Sequence, residues 1–420
     1  MEVRRLAILA SVVVLVLGGA IWLLFLRGGD DAPTLEAGSR FGEDSASGSG
    51  GTLIDTLAPL LAARIRTGSS GGSDPAPPTA DAIARAPQDA VAGLFLVGFK
   101  GTNSEASFFK RLKALPYGGV LLTTTNYTGR PAQLSALTLA LQNAARDAGH
   151  PAPLIAAGQE GGEFSVFRNL APAAQVDVGN ARKGTRDAAL GAGRQLRALG
   201  VGMTLAPNAD IAVAGGPGQG RAFSDQADRV VSAVKASVSA YRQSKVVAAP
   251  GPFPGDGGAS QDPADGPAPV GLGLDALRGA DMKPFEAIAT GERAVPAIQM
   301  SNAIYAAFDG VTPATLLPEA VDELRNRLDF DGAIVSADLV ATTATTGGSV
   351  GQAAIDALKA GVDLLVVPGG RTQQDEAYRA VVAAVRSRTI EPARVADALG
   401  HIADVRALTK DSRDPIRPGE

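Results

Sequence analysis

The chain contains no cysteine and only two histidines, His150 and His401, among its 420 residues. The first absence excludes disulfides, thiolate metal sites, a lipid-modified cysteine anchor and a cysteine nucleophile. The second leaves few imidazoles for proton transfer near neutrality, a task for which no other unperturbed side chain is as well suited. No basic cluster follows the first few residues and the net charge is −4, so no nucleic-acid footprint is present and no nucleic-acid partner is expected. What the chain does have is 45% hydrophobic and 20% charged residues, enough to bury one large core. Its 51 glycines and 27 prolines imply long connections as well.

Residues 6–26, from Leu6 to Leu26, carry no charge and are long enough to cross a hydrocarbon core of ~30 Å as a helix. Arg4 and Arg5 precede this stretch, and Arg27, Asp30 and Asp31 follow it, a bias that puts the amino terminus inside and the rest outside. The expectation is a transmembrane anchor over 1–27, hence a single-pass cell-membrane protein with its bulk on the extracytoplasmic side. A cleaved signal peptide has a shorter apolar region, ~7 to 15 residues, ending at a small-x-small site that is not evident here. Residues 28–87 turn to Gly, Ser, Asp, Pro and Ala and read as a flexible linker. Within it, Leu53, Ile54, Leu57, Leu60, Leu61 and Ile65 recur at helical spacing and predict one short amphipathic helix, docked on the folded domain in preference to the membrane surface.

From residue 88 to 410 short apolar runs alternate with helical patterns; residues 411–420 form a polar tail. The runs are 93–97, 119–122, 153–157, 203–206, 246–249, 295–300, 332–336 and 362–367. Between them lie helices such as 131–148, with a proline at its start, Leu134, Leu137 and Leu141 on one face and Gly149 as a stop, and 318–328. Eight such units predict an α/β fold of the (β/α)8 TIM barrel type, preceded by the transmembrane helix and linker. In that architecture the chemistry belongs at the C-terminal ends of the strands. The seventh run ends in Ser336-Ala337-Asp338-Leu339, one carboxylate beside an alanine. His150 falls at the opposite, stabilising end and His401 in the last helical segment, so both are expected to be structural.

Several segments, taken in order, resemble the catalytic barrel of family 3 glycoside hydrolases of the bacterial β-N-acetylhexosaminidase type. They are Leu96-Val97-Gly98-Phe99; Gly118-Gly119-Val120-Leu121-Leu122 with Asn126; Gln159-Glu160-Gly161-Gly162; Leu205-Ala206-Pro207 with Asp210-Ile211; Gly220-Arg221-Ala222-Phe223; Phe253-Pro254-Gly255; Pro284-Phe285; and Phe330-Asp331-Gly332 through Leu339. The resemblance implies a retaining glycosidase with an Asp nucleophile after the seventh strand, and that position holds Ala337. It implies an Asp-x-His acid/base pair; Asp262 can take the first place, but Ala264 stands at the second. The Lys-His pair before Phe-Pro-Gly is replaced by Gly251-Pro252, the next family His by Asp256, and the sixth-strand His by Asn302. The sugar-binding Asp and Arg around Gln159-Glu160 become Gly158 and Glu163. Of the sugar-holding groups implied, only Arg221 is plainly retained.

The expected reading is therefore a barrel that has lost its catalytic set and binds a cell-wall glycan or serves as a scaffold for a protein partner. The alternative is an active hydrolase with relocated carboxylates, Asp338 with Asp262 or Asp265. Along a strand Asp338 faces away from position 337, and an Asp there more often caps the next helix. Gln159, Glu160, Asp210 and Arg221 are the candidate ligand-binding residues, lining a residual polar pocket. The loop 250–269, rich in Gly, Pro and Asp, is expected to be mobile and solvated. No metal or cofactor is expected: the aspartates of that loop lack the terminal bidentate acid of a calcium site. The glycines of 215–220 are not followed by the Lys-Ser or Lys-Thr of a phosphate loop.

Overall fold

A computed structural model describes residues 76–179, 184–292 and 294–410. The expected anchor over 6–26, the linker up to residue 75 with its amphipathic segment, and the tail 411–420 lie outside the described residues. Among the described residues no helix is long and apolar enough to cross a membrane. The linker boundary expected at 87 moves back, because residues Ala80–Arg85 form a helix. Thr79 caps it by accepting from the Ala82 N–H at 3.4 Å, and Ile83 is fully buried. A buried isoleucine fixes this turn to the domain.

All eight apolar runs become strands. In chain order these are β1 (Phe95–Gly98), β2 (Gly119–Leu122), β3 (Leu154–Ala157), β4 (Met203–Thr204), β5 (Val247–Ala248), β7 (Ala297–Gln299), β9 (Ala333–Asp338) and β10 (Leu364–Val367). Two more short strands, β6 (Pro269–Val270) and β8 (Ile304–Tyr305), form a separate parallel pair. The large sheet runs β5-β4-β3-β2-β1-β10-β9-β7, with all its pairings parallel. It closes between β5 and β7 just beyond the strands: Gln299 N–H donates to the Pro250 carbonyl at 2.9 Å, and Phe253 N–H to the Gln299 carbonyl at 2.8 Å. Every strand of the ring thus neighbours the next in sequence, the order of a (β/α)8 barrel.

β1, β2, β3 and β10 are buried on both faces, which is why they read as unbroken apolar runs instead of alternating ones. β4 and β5 are shorter than expected: the chain soon meets Pro207 and Pro250, which have no N–H for a ladder. The Pro131–Asp147 helix buries Leu134, Leu137 and Leu141 against the sheet side and stops before Gly149, whose φ is +76°. The expected helix over 318–328 is an α-helix only for Pro318–Asp322 and widens to a π-turn over Glu323–Arg327.

The loop 250–269 corrects in its first half the expectation of a solvated segment, while Ser260, Gln261, Asp262, Ala264 and Asp265 are exposed as expected. Residues 253–257 are all buried, and the β6–β8 pair ties the end of this loop to the excursion after β7. Gly257 shows the closeness of the fit: a methyl there would come within 2.0 Å of the Ile211 carbonyl oxygen.

Candidate functional site

At the end of β9, Ala337 is buried and its N–H donates to Thr315 Oγ1 at 3.1 Å. The next residue, Asp338, is the N-cap of the Leu339–Thr346 helix, its Oδ1 accepting from Val340 N–H at 2.8 Å and Ala341 N–H at 3.2 Å. Burial raises its pKa, and the two N–H donors oppose that rise. The Asp338 carbonyl accepts from the Asn302 side-chain amide at 3.0 Å, and Thr342 Oγ1 lies 2.7 Å from Asn302 Oδ1. Asn302 therefore ties the loop after β7 to this helix start. Asp262 lies exposed on its loop, where its Oδ1 accepts from the Ala264 N–H at 2.9 Å in a local turn. Both fallback carboxylates are thus committed to nearby backbone.

Of the four expected pocket residues, two meet. Arg221 and Glu160 form a bidentate pair, Nε to Oε2 at 2.5 Å and Nη2 to Oε1 at 2.6 Å, and the guanidinium lies 5.9 Å from the centre of the Phe164 ring. Burial alone would lower the Arg221 pKa; the Glu160 carboxylate outweighs it and raises it. Gln159 does not line a pocket. It is fully buried, and its amide donates to the carbonyls of Phe167 (3.1 Å) and Ala171 (3.0 Å) while accepting from Phe167 N–H (3.1 Å). Its side chain staples the loop after β3 to itself, meeting the buried Phe167 N–H and sharing the Phe167 carbonyl with the Leu170 N–H. Asp210 is also buried, accepting from Asp256 N–H at 2.6 Å and from the Asn208 amide at 2.8 Å. The cavity beside Glu160, bounded by Gln175, Phe223 and Tyr241 among others, has a volume of only about 10 Å3. That is room for one water molecule at most.

The sequence reading missed a buried polar network one layer further in. Asp256 Oδ1 accepts hydrogen bonds from Ser301 Oγ and from Tyr305 Oη, the latter at 2.8 Å. Burial first, and the neighbouring Asp256 second, push the Asp210 pKa up to about 8; burial also raises Asp256. Asp281, packed under Gly255, is pushed up to about 6 by the same causes. These acids join the loops after β4, β5 and β7. In the sequence nothing pairs Asp256 with Ser301 or Tyr305.

Among the described residues, one group of three has side chains close enough to share a cation: Asp363, Asp397 and His401. It lies at the opposite end of the barrel, just before β10. Asp363 already accepts from Arg325 at 2.7 Å, Arg394 at 2.8 Å and the Ile334 N–H at 2.8 Å, with His401 Nδ1 at 3.1 Å. Two guanidiniums on one carboxylate make this an ion-pair network, unsuited to a metal. His150 Nε2 lies 3.0 Å from the Lys113 carbonyl, also at that end.

The description "Glycosyl hydrolase family 3 N terminal domain" matches residues 88–405. The chain belongs to this family. Among its relatives in the glycosyl hydrolase family 3 is a β-hexosaminidase of Alkalilimnicola ehrlichii, 32% identical over 296 residues, which cover 66% of this chain and 80% of that protein. An uncharacterized secreted glycosyl hydrolase of Arthroderma benhamiae is 29% identical over 308 residues, 70% of this chain and 86% of the other. The structure of a family 3 β-N-acetylglucosaminidase from a Paenibacillus species superimposes with a TM-score of 0.73 at 27% identity, covering 77% of this chain and 62% of its own. The chain thus spans less than two thirds of that solved structure.

Proposed function

We propose that this β-hexosaminidase-like barrel is a non-hydrolytic member of its family, tethered to the cell membrane through residues 6–26 and acting outside the cytoplasm as a binding or scaffolding domain. The observation that carries the reading is at the end of β9: alanine occupies the strand end, and the only adjacent carboxylate, Asp338, is spent capping a helix. The missing imidazole at position 264 and the local turn of Asp262 support it. The extracytoplasmic placement is in keeping with the Arthroderma relative, which is named as secreted.

The test is hydrolysis of a chromogenic N-acetyl-β-glucosaminide and of a β-glucoside, with Asp338→Asn beside the wild type. No turnover by either protein is the expected result. Turnover that disappears in Asp338→Asn would overturn the proposal and make Asp338 the nucleophile of an active O-glycosyl hydrolase.

A further inference from the structure

Among the described residues five large apolar side chains are exposed: Phe164, Val213, Leu272, Val311 and Leu408. Single exposed residues of this kind are ordinary. Their placement is not: all except Leu408 lie on loops that leave the C-terminal ends of strands β3, β4, β5 and β7, and so share one end of the barrel. These loops also touch. The Phe164 ring edge is 4.0 Å from where a Gly220 side chain would begin, and within the connection after β5 Leu272 Cδ1 is 3.8 Å from the same point on Gly258. Gly216 lies against Gly257, where a methyl would come within 2.4 Å of the Gly257 carbonyl oxygen. Ala306 N–H donates to the Val270 carbonyl at 3.0 Å, joining the loop of Val311 to that of Leu272.

The charge around the three aliphatic residues has one sign, whereas Phe164 lies on a loop with the exposed Arg168 and faces Arg221. Residues 205–220, 246–277 and 300–317 contain no Lys or Arg, yet Asp262, Asp265 and Asp309 are exposed there. We propose that the part of this end formed by the loops of Val213, Leu272 and Val311 is a docking surface for a polypeptide whose contact face is apolar and cationic. The inference rests on the binding reading above and names its partner class. Three of the four apolar groups are aliphatic, and the one aromatic ring is already faced by the Arg221 guanidinium, so a sugar finds no free ring to stack on. A second copy of the same surface would set these aspartates against each other.

The probe is a fluorescently labelled peptide of leucine and lysine at helical spacing, with its leucine–glutamate counterpart and an N-acetylglucosamine trimer as comparisons, each titrated into the full-length chain. The lysine peptide is expected to bind with an affinity that falls as salt rises, and to slow amide exchange in the loops of Val213, Leu272 and Val311. Val213→Ser with Val311→Ser should weaken it at least about tenfold with unchanged thermal unfolding, and Asp262→Asn with Asp265→Asn should flatten the salt dependence. Equal binding by the double Val variant, equal binding of the glutamate peptide, protection of these loops by the trimer instead, or self-association that the Val variant abolishes would each overturn the proposal. Turnover in the hydrolysis assay would sink the non-hydrolytic reading and leave this surface standing, so the two failures are distinguishable.

Discussion

A strand-end carboxylate serves as a nucleophile through an oxygen free to reach the substrate, and Asp338 Oδ1 is turned into the first turn of the helix that follows. Replacing Asp338 with Ala should cost about 1 kcal/mol through the lost cap, measured by chemical denaturation. At the other end of the barrel, Asp363 holds His401 and two arginines. The hydrogen bond from His401 to Asp363 outweighs burial and raises the histidine pKa above its usual 6.5, while burial of Asp363 is outweighed by the same bond and its charged neighbours, which lower its own pKa. A raised histidine contributes stability that is complete below about pH 6.5 and is lost as pH climbs through the folded value. A depressed aspartate contributes stability that is present above about pH 4 and is lost as pH falls through its folded value. His401→Gln should therefore abolish the part of the decline above about pH 6.5 that belongs to this pair in a pH series of unfolding free energies.

At the scale of elements, the loops after β4, β5 and β7 are joined by acids that are costly to ionise. Asp210, with a pKa pushed up to about 8 by burial and by Asp256, binds its proton more tightly folded than unfolded. Its contribution is fully present below about pH 4 and drains away as pH rises towards 8. Asp210→Asn should remove that slope, leaving a flatter profile between those limits; an unchanged slope would show that Asp210 ionises freely in the folded chain. The helices tell a simpler story. Pro131 at its start and Leu134, Leu137 and Leu141 on one face made the long helix after β2 legible, because capping and burial there are local. The buried first half of the loop 250–269 was not legible: its composition is that of a solvated turn, and the burial of Asp256 and Gly257 comes from Ile211, Ser301 and Tyr305.

For the whole molecule, the seam between β5 and β7 is where the ring is least like a ladder, held by hydrogen bonds made past the strand ends. β5 has only two residues, whereas β1 and β2 pair over three registered positions. Amide exchange should be faster along β4, β5 and β7 than along β1 and β2, and the reverse order would mean that the barrel opens elsewhere. The apolar runs by themselves determined the eight barrel strands and their order, since a parallel strand covered on both faces must be apolar throughout. The absence of cysteine likewise excluded disulfides and a thiol nucleophile from the sequence alone. Only the tertiary structure decided what the remaining polar groups do: Arg221 meets Glu160 across 61 residues, and Asp256 meets Ser301 across 45. Periodicity records whether a side chain is buried, but the hydrogen-bond partner of a buried polar group is set by loops that meet only when the barrel closes.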